Sequence, residues 1–485
     1  MTLAPSPQTL PDLPRFPMRI PGLDRVLGGG LIAGDTYLVT GEPGTGKTTL
    51  GNQLAFTHVA AGGRAILATL LTETHDRMLA HLRGFRFADP ALVGARLPFL
   101  SLLGALEEGG LEAVVGTLVG AIRDHEATLL VVDGAGATEA FAASGFDYGR
   151  FLHGLQARTA LLGCTVVLLS GDQEASGALT HVDGVLQLAN DPSGSRDVRW
   201  LRVAKLRGSA YLNGRHQFAI GADGVAVFPR LEAALAGLTP RWQEPAEPVA
   251  LGVPGLDAML VGGLALGTST LLLGTPGTGK TMLGLQFLAE GARRGEPGLI
   301  ASFQETAPAL AATADRAGMD LAPHMESGLV RVLWRAPLEL APDEWAWQLL
   351  EAVEEHRPRR LVIDAFTDLA RLFADPHRQP AFAQALANDL RHRGVTTLFS
   401  LEIDAFVGPH LAAPVPTISA AMDSGILLRS VELGSSLRRL VSILKHRQTA
   451  SDPTIREFTI GPQGITVGEP FDAADLLTGI ARPMR

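Results

Sequence analysis

The chain has 485 residues, 46% of them hydrophobic and 19% charged, with a formal net charge of −9. That length is too great for one ordinary α/β domain, and the composition excludes a disordered acidic tail. The negative balance gives no global pull toward nucleic acid or anionic membrane, and no apolar run is long enough to span a bilayer. With no signal-peptide pattern at the start, a soluble, cytoplasmic protein is expected. The one cysteine, Cys164, allows neither an internal disulfide nor a cysteine-based zinc site, and it reads as a small core residue.

In chain order, the Pro-rich segment 1–17 is expected to be disordered. An apolar run TYLVTG then leads through a Gly-rich turn into a helix with Leu50 and Leu54 at i and i+4. A strand toward Glu73 follows, then LLVVD ending at Asp133 and CTVVLLS at 164–170. The same series begins again after residue 250. IPGLDRVLGGGLIAGDTYLVTGEPGTGKTTL at 20–50 is answered by VPGLDAMLVGGLALGTSTLLLGTPGTGKTML at 253–283. Lys47 and Lys280 are 233 residues apart, Asp133 and Asp364 are 231 apart, and KLR at 205–207 answers KHR at 445–447. The chain is therefore expected to be a tandem duplication: a first domain over 18–235, a linker over 236–248, a second domain over 249–470, and a short tail over 471–485. Continuous apolar strands alternating with helices read as α/β, a mostly parallel sheet covered by helices on both faces.

Two segments satisfy G-x-x-x-x-G-K-[ST]. The first phosphate-binding stretch is Gly41, Glu42, Pro43, Gly44, Thr45, Gly46, Lys47, Thr48 and Thr49; the second is Gly274, Thr275, Pro276, Gly277, Thr278, Gly279, Lys280, Thr281 and Met282. Glycines let backbone N–H groups curl round a phosphate, the next helix aims its positive end at it, and the lysine reaches the terminal oxygens. ATP with Mg²⁺ is the expected ligand, with Thr48 and Thr281 offering hydroxyls to the metal and Asp133 and Asp364 holding its water shell. Glu73 and Glu305 are placed at the end of the strand after each P-loop helix, where a carboxylate can orient or deprotonate an attacking water. The lysines point the same way: Lys47, Lys205, Lys280 and Lys445 are the only four among 41 basic residues, so each marks a place where a compact point charge is needed.

Together these motifs, PGLD before a Gly-rich lead-in, the two P-loops, KLRG and REFTI, resemble the KaiC family of RecA-like ATPases, the double-domain circadian-clock type, over nearly the whole chain. The resemblance implies two tandem RecA-like P-loop domains and a homohexameric double ring with ATP between protomers. It implies that Lys205 and Arg207, and Lys445 and Arg447, reach the nucleotide of the neighbouring protomer. At i and i+2 on a strand, each pair would share one face. Where the family usually carries two adjacent glutamates, this chain has Thr72-Glu73 and Gln304-Glu305. Where the family's autophosphorylation site is an adjacent Ser-Thr, it has Ser419-Ala420, so Ser419 is the single candidate phosphosite and autokinase activity is expected to be residual at most.

The function expected is an ATP-binding hexameric signalling scaffold that hydrolyses ATP slowly and has unidentified signalling proteins as partners. An alternative is a RecA/RadA-like DNA-dependent ATPase of recombination or repair, since fold alone does not settle function. A channel that neutralised phosphates would need basic residues, but the candidate channel loops, 171–181 and 402–419, carry no lysine or arginine. A third reading is a binding module whose nucleotide is purely structural.

Overall fold

The computed structural model describes residues 13–70, 75–94, 96–136, 138, 142, 144–171, 181–193, 196–238, 247–338, 340–403, 421–433, 436–447 and 450–471. Its contacts divide the chain into Met1–Ala234 and Leu235–Arg485. Glu73 and Ser419 lie outside the described residues, as does most of the two candidate channel loops.

The first unit is built on nine strands: β1 (Thr36–Thr40), β2 (Ala65–Thr69), β3 (Phe99–Ser101), β4 (Leu129–Asp133), β5 (Thr165–Ser170), β6 (Gly184–Ser193), β7 (Arg196–Leu206), β8 (Arg215–Gly221) and β9 (Gly224–Phe228). They lie side by side in the order β9-β8-β7-β6-β1-β5-β4-β2-β3. From β3 to β6 neighbours are parallel, and from β6 to β9 antiparallel. The second unit repeats this with β10 (Ser269–Gly274), β11 (Gly298–Ser302), β12 (Val330–Trp334), β13 (Arg360–Asp364), β14 (Thr396–Glu402), β15 (Ser424–Leu433), β16 (Ser436–His446), β17 (Arg456–Gly461) and β18 (Gly464–Pro470). Its order, β18-β17-β16-β15-β10-β14-β13-β11-β12, is that of the first unit strand for strand. The extra residues of the second copy fall between β14 and β15.

Alternation explains the unbroken apolar strands. In β4, Leu129 and Val131 join one buried cluster with Leu50, Leu54 and Val59 of α1 (Lys47–Ala60). Leu130 and Val132 join a second cluster, with Leu118 and Ile122 of α2 (Leu103–His125) and Leu152 and Leu155 of α3 (Gly145–Ala160). Successive side chains of a strand point to opposite faces, so a strand with helices on both sides is apolar at every position. The second unit packs Leu283 and Phe287 of α4 (Lys280–Arg293) against Leu272 and Val362 in the same manner. Phe303 meets Trp345 of α5 (Pro342–His356), with ring centroids 5.4 Å apart.

One detail departs from the sequence reading and one adds to it. Arg15–Phe16, within the segment expected to be disordered, pairs with Leu31–Ile32 in a short antiparallel ribbon; Phe16 is buried in the first core, which fixes this stretch. The aspartates of the two PGLD motifs act on the backbone: Asp24 accepts from the N–H groups of Met18 and Arg19, and Asp257 from those of Leu251, Gly252 and Val253.

Phe287 is fully buried, and the Arg360 guanidinium lies 4.7 Å from its ring centroid while donating to the Phe287 carbonyl. Phe287→Ala should cost the second unit about 3–5 kcal/mol, read as a fall in the denaturant midpoint of that unit with the first unit's transition unmoved.

Candidate functional site

Both P-loops leave the carboxyl end of the strand at which the sheet order reverses, β1 or β10, the place where open α/β sheets bind ligands. Gly46 and Gly279 cap the following helices with φ of 101° and 103°. A Cβ on Gly46 would come within 2.5 Å of Ile220 Cδ1, and one on Gly279 within 2.7 Å of Ile460 Cδ1. Glycine is required there by conformation and by space. Each turn leads directly into a helix that begins at the P-loop lysine, Lys47 or Lys280, so the helix N-terminus lies at the turn.

Lysine and hydroxyl converge on that spot. Lys47 Nζ donates to the carbonyls of Gly41 (2.6 Å) and Glu42 (2.8 Å), and Lys280 Nζ to those of Gly274 (2.9 Å) and Thr275 (3.0 Å). Burial lowers the pKa of both lysines, opposed by Asp133 at Lys47 and by Glu402 and Asp364 at Lys280. Thr48 Oγ1 donates to Asp133 (2.7 Å) and Thr281 Oγ1 to Asp364 (2.6 Å). Each hydroxyl and carboxylate is thus within reach of one hard cation. Among the described residues no cluster of three or more histidine, cysteine or acidic side chains could hold a metal. A hydroxyl paired with one carboxylate in each unit fits Mg²⁺, which keeps most of its water and takes few protein ligands.

In the second unit these groups open into a cavity of about 420 Å³ lined by Lys280, Thr281, Gln304, Glu305, Asp364 and Glu402 among others. Glu305 does not end its strand as the sequence suggested: β11 stops at Ser302, and Glu305 follows on a turn whose N–H donates to Ser302 Oγ (3.1 Å). Strand alternation therefore does not set its direction. Glu305 Oε2 is buried and has no hydrogen-bond partner. Burial first, then Asp364, pushes the pKa of this carboxyl up, with Arg316 opposing. Gln304 gives its amide to Asp368 (2.8 Å).

The paired basic residues lie at the other end of the sheet. Lys205 is on β7 opposite Val185, and its Nζ donates to the Val182 carbonyl (2.6 Å). Arg207 lies one residue past the strand, its N–H bonded to the Asp183 carbonyl (2.9 Å). The bulge in this pairing falls at Ala204, ahead of Lys205, and the register runs on unbroken from Lys205 to Arg207, so the i, i+2 spacing of the pair is kept. Asp183 N–H in turn bonds the carbonyl of Thr36, the first residue of β1. The whole of β1, about 16 Å at the usual rise, thus separates Arg207 from the level of its own P-loop. Lys445 and Arg447 repeat this, with Lys445 Nζ on the Met422 carbonyl (2.6 Å) and Arg447 N–H on that of Asp423 (3.1 Å).

Sequence reasoning missed two second-unit groups. Ser400 Oγ donates to Asp364, and Glu402 Oε1 lies 3.9 Å from Lys280 Nζ. The signal was in the comparison of copies: by strand register Leu169 stands in the place of Ser400 and Gly171 in that of Glu402.

Fold and paired phosphate cradles define a tandem P-loop ATPase of RecA-like architecture. Residues 16–232 and 249–471 each match the family described as ATPase: KaiC, and the chain belongs to that family. It is 27% identical over 467 residues to the circadian clock oscillator protein KaiC of Picosynechococcus sp., covering 93% of this chain and 89% of that one. It is 26% identical over 481 residues to the circadian clock oscillator protein KaiC 1 of Synechocystis sp., covering 95% and 91%. Against KaiC of Synechococcus elongatus the identity is 26% over 467 residues, covering 93% and 88%. Among the described residues no helix is long and apolar enough to cross a membrane.

A carboxyl whose folded pKa is raised favours folding below its ordinary value of 4.5 and opposes it once pH rises through the folded value. Glu305→Gln should therefore raise the thermal midpoint of the second unit at pH 8, with the gain shrinking toward pH 4.5 and absent below it. A gain independent of pH would contradict the burial account.

Proposed function

We propose that this chain is a slow ATPase that assembles, through its nucleotides, into a homohexameric cytoplasmic signalling scaffold. Each protomer takes two ATP·Mg²⁺, one on each P-loop. The observation that carries the reading is the separation of the two basic features: the P-loops sit at the carboxyl edge of each sheet and the Lys–Arg pairs at the amino edge. Lys205 and Arg207 do not reach their own phosphates, so a nucleotide they serve belongs to another copy packed head to tail. Such heterologous contacts form a ring when the rotation from copy to copy closes.

Within a site, Lys280 and the turn N–H groups orient the phosphates while Thr281 and Asp364 hold the metal and its water. Mg²⁺, when bound, neutralises charge on the β- and γ-phosphoryl oxygens. Glu305 has an unpartnered oxygen and a raised pKa, the properties of a group that takes a proton from an attacking water, an effect worth roughly 10² to 10⁴ in rate. Glu73 is the matching candidate in the first unit. A single glutamate after that strand, Glu73 or Glu305, where the family usually has two adjacent ones, supports slow turnover and, at Ser419, residual autokinase activity at most. Signalling proteins are the proposed partners; DNA is not, because segments 171–181 and 402–419 contain no lysine or arginine.

Lys47→Ala and Lys280→Ala should each remove one nucleotide per protomer, and the double variant both, as counted by nucleotide extraction. Lys205→Ala with Arg207→Ala should leave the protomer folded but raise the ATP concentration needed for assembly several-fold, because nucleotide bound at an interface stabilises the assembled state. Assembly that follows the wild-type ATP titration would show these residues to be a solvated face.

A further inference from the structure

Besides Glu42 of the first P-loop, which Thr275 replaces in the second, the described residues of the two nucleotide sites differ in a charge beside the P-loop lysine. In the second, the Lys280 side chain is 6% exposed and Glu402, 27% exposed, points its Oε1 at the ammonium from 3.9 Å. Glu402 is the last residue of β14, paired with Gly274, the first residue of the P-loop. Its N–H is tied to Thr367 Oγ1 (2.7 Å), which fixes the backbone that presents it. Gly171 occupies the corresponding place in the first unit and offers no carboxylate.

Three carboxylates, Asp364, Glu305 and Glu402, therefore share one cavity with Lys280. Asp364 is engaged by Thr281 and Ser400 and belongs with the metal. Glu402 is on the lysine, where the terminal phosphoryl group of a triphosphate has to go. A P-loop lysine spans β- and γ-oxygens; a diphosphate leaves the γ place empty. A fixed carboxylate beside that place repels the extra negative charge of a triphosphate and leaves a diphosphate nearly untouched, since like charges a few ångströms apart in a partly buried site interact strongly.

We propose that Glu402 sets the nucleotide preference of the second site, occupying the place of the γ-phosphoryl group beside Lys280 and shifting that site toward the diphosphate. This rests on the reading of both P-loops as nucleotide sites. The first site, with glycine at the same place, holds triphosphate without this competition. The two rings of one assembly would then carry different nucleotides at the same ATP-to-ADP ratio.

The test uses single-site chains, Lys47→Ala to leave the second site and Lys280→Ala to leave the first, titrated with ADP and with the non-hydrolysable β,γ-imido analogue of ATP, each with Mg²⁺. In the Lys47→Ala chain, Glu402→Gln should strengthen binding of the imido triphosphate about tenfold and change ADP binding less than about twofold. In the Lys280→Ala chain, Gly171→Glu should weaken the triphosphate selectively; a Cβ at Gly171 meets nothing within 4 Å, so the side chain has room. Equal shifts for both nucleotides, or no shift for the triphosphate, would overturn the inference. So would a loss of ATP turnover with an unchanged affinity ratio, which would make Glu402 a base. A Lys47→Ala, Lys280→Ala chain that still bound either nucleotide would sink the P-loop reading itself, and this inference with it.

Discussion

A lysine ammonium held at the carboxyl end of a central parallel strand is the group around which each unit is arranged. Burial disfavours its charged form, as the lowered pKa of Lys47 and Lys280 shows. The loop's own carbonyls meet part of that charge, Gly41 and Glu42 in one unit, Gly274 and Thr275 in the other. A phosphate meets the rest. Presenting the ammonium there requires a strand buried on both faces, a left-handed glycine that turns the chain into a helix, and a helix whose positive end faces the same spot. The apolar alternation of β4 and β13 and the helices on both sides of the sheet supply that frame.

The strand order then decides what each edge of the sheet can do. Reversal at β1 and β10 opens a crevice at the carboxyl edge for nucleotide. The long hairpins, β6 with β7 and β15 with β16, run back and set Lys205, Arg207, Lys445 and Arg447 at the amino edge, anchored on Asp183 and Asp423. Asp35 adds a carboxyl to the first of these clusters, pushed up to about 6 by burial and by Asp183. Thr268 stands at the equivalent place in the second unit. The copies thus share a frame and differ in the charges they place upon it, at the amino edge through Asp35 and at the carboxyl edge through Glu402.

Much of this was legible in the sequence because phosphate recognition needs contiguous residues. A turn that wraps a phosphate and the helix behind it leave Gly46-Lys47-Thr48 adjacent in the chain, and duplication printed the pattern twice. Asp133 and Asp364 were legible because a buried strand ending in a carboxylate is conspicuous. Contacts that depend on the third dimension were not. Lys280 and Glu402 meet only because β14 pairs with β10 in a given register. Arg207 falls one residue beyond its strand, and Lys205 follows a bulge at Ala204, so the register that sets both at the amino edge is not visible in their spacing. Glu305 sits past the end of β11, so strand periodicity gave it the wrong setting. Arg360 is wholly buried at the start of β13, held by Glu296 and by the carbonyls of Ala250 and Phe287, a partner set that no local pattern announces.

The account's central claim is that nucleotide bound at one protomer's carboxyl edge is also gripped by the amino edge of the next. Native mass measurement of the full chain across an ATP titration tests it most directly. The prediction is a hexamer carrying two nucleotides per protomer that falls apart as nucleotide is withdrawn. A monomer that stays monomeric with both sites filled, or an assembly whose mass is indifferent to nucleotide, would contradict it.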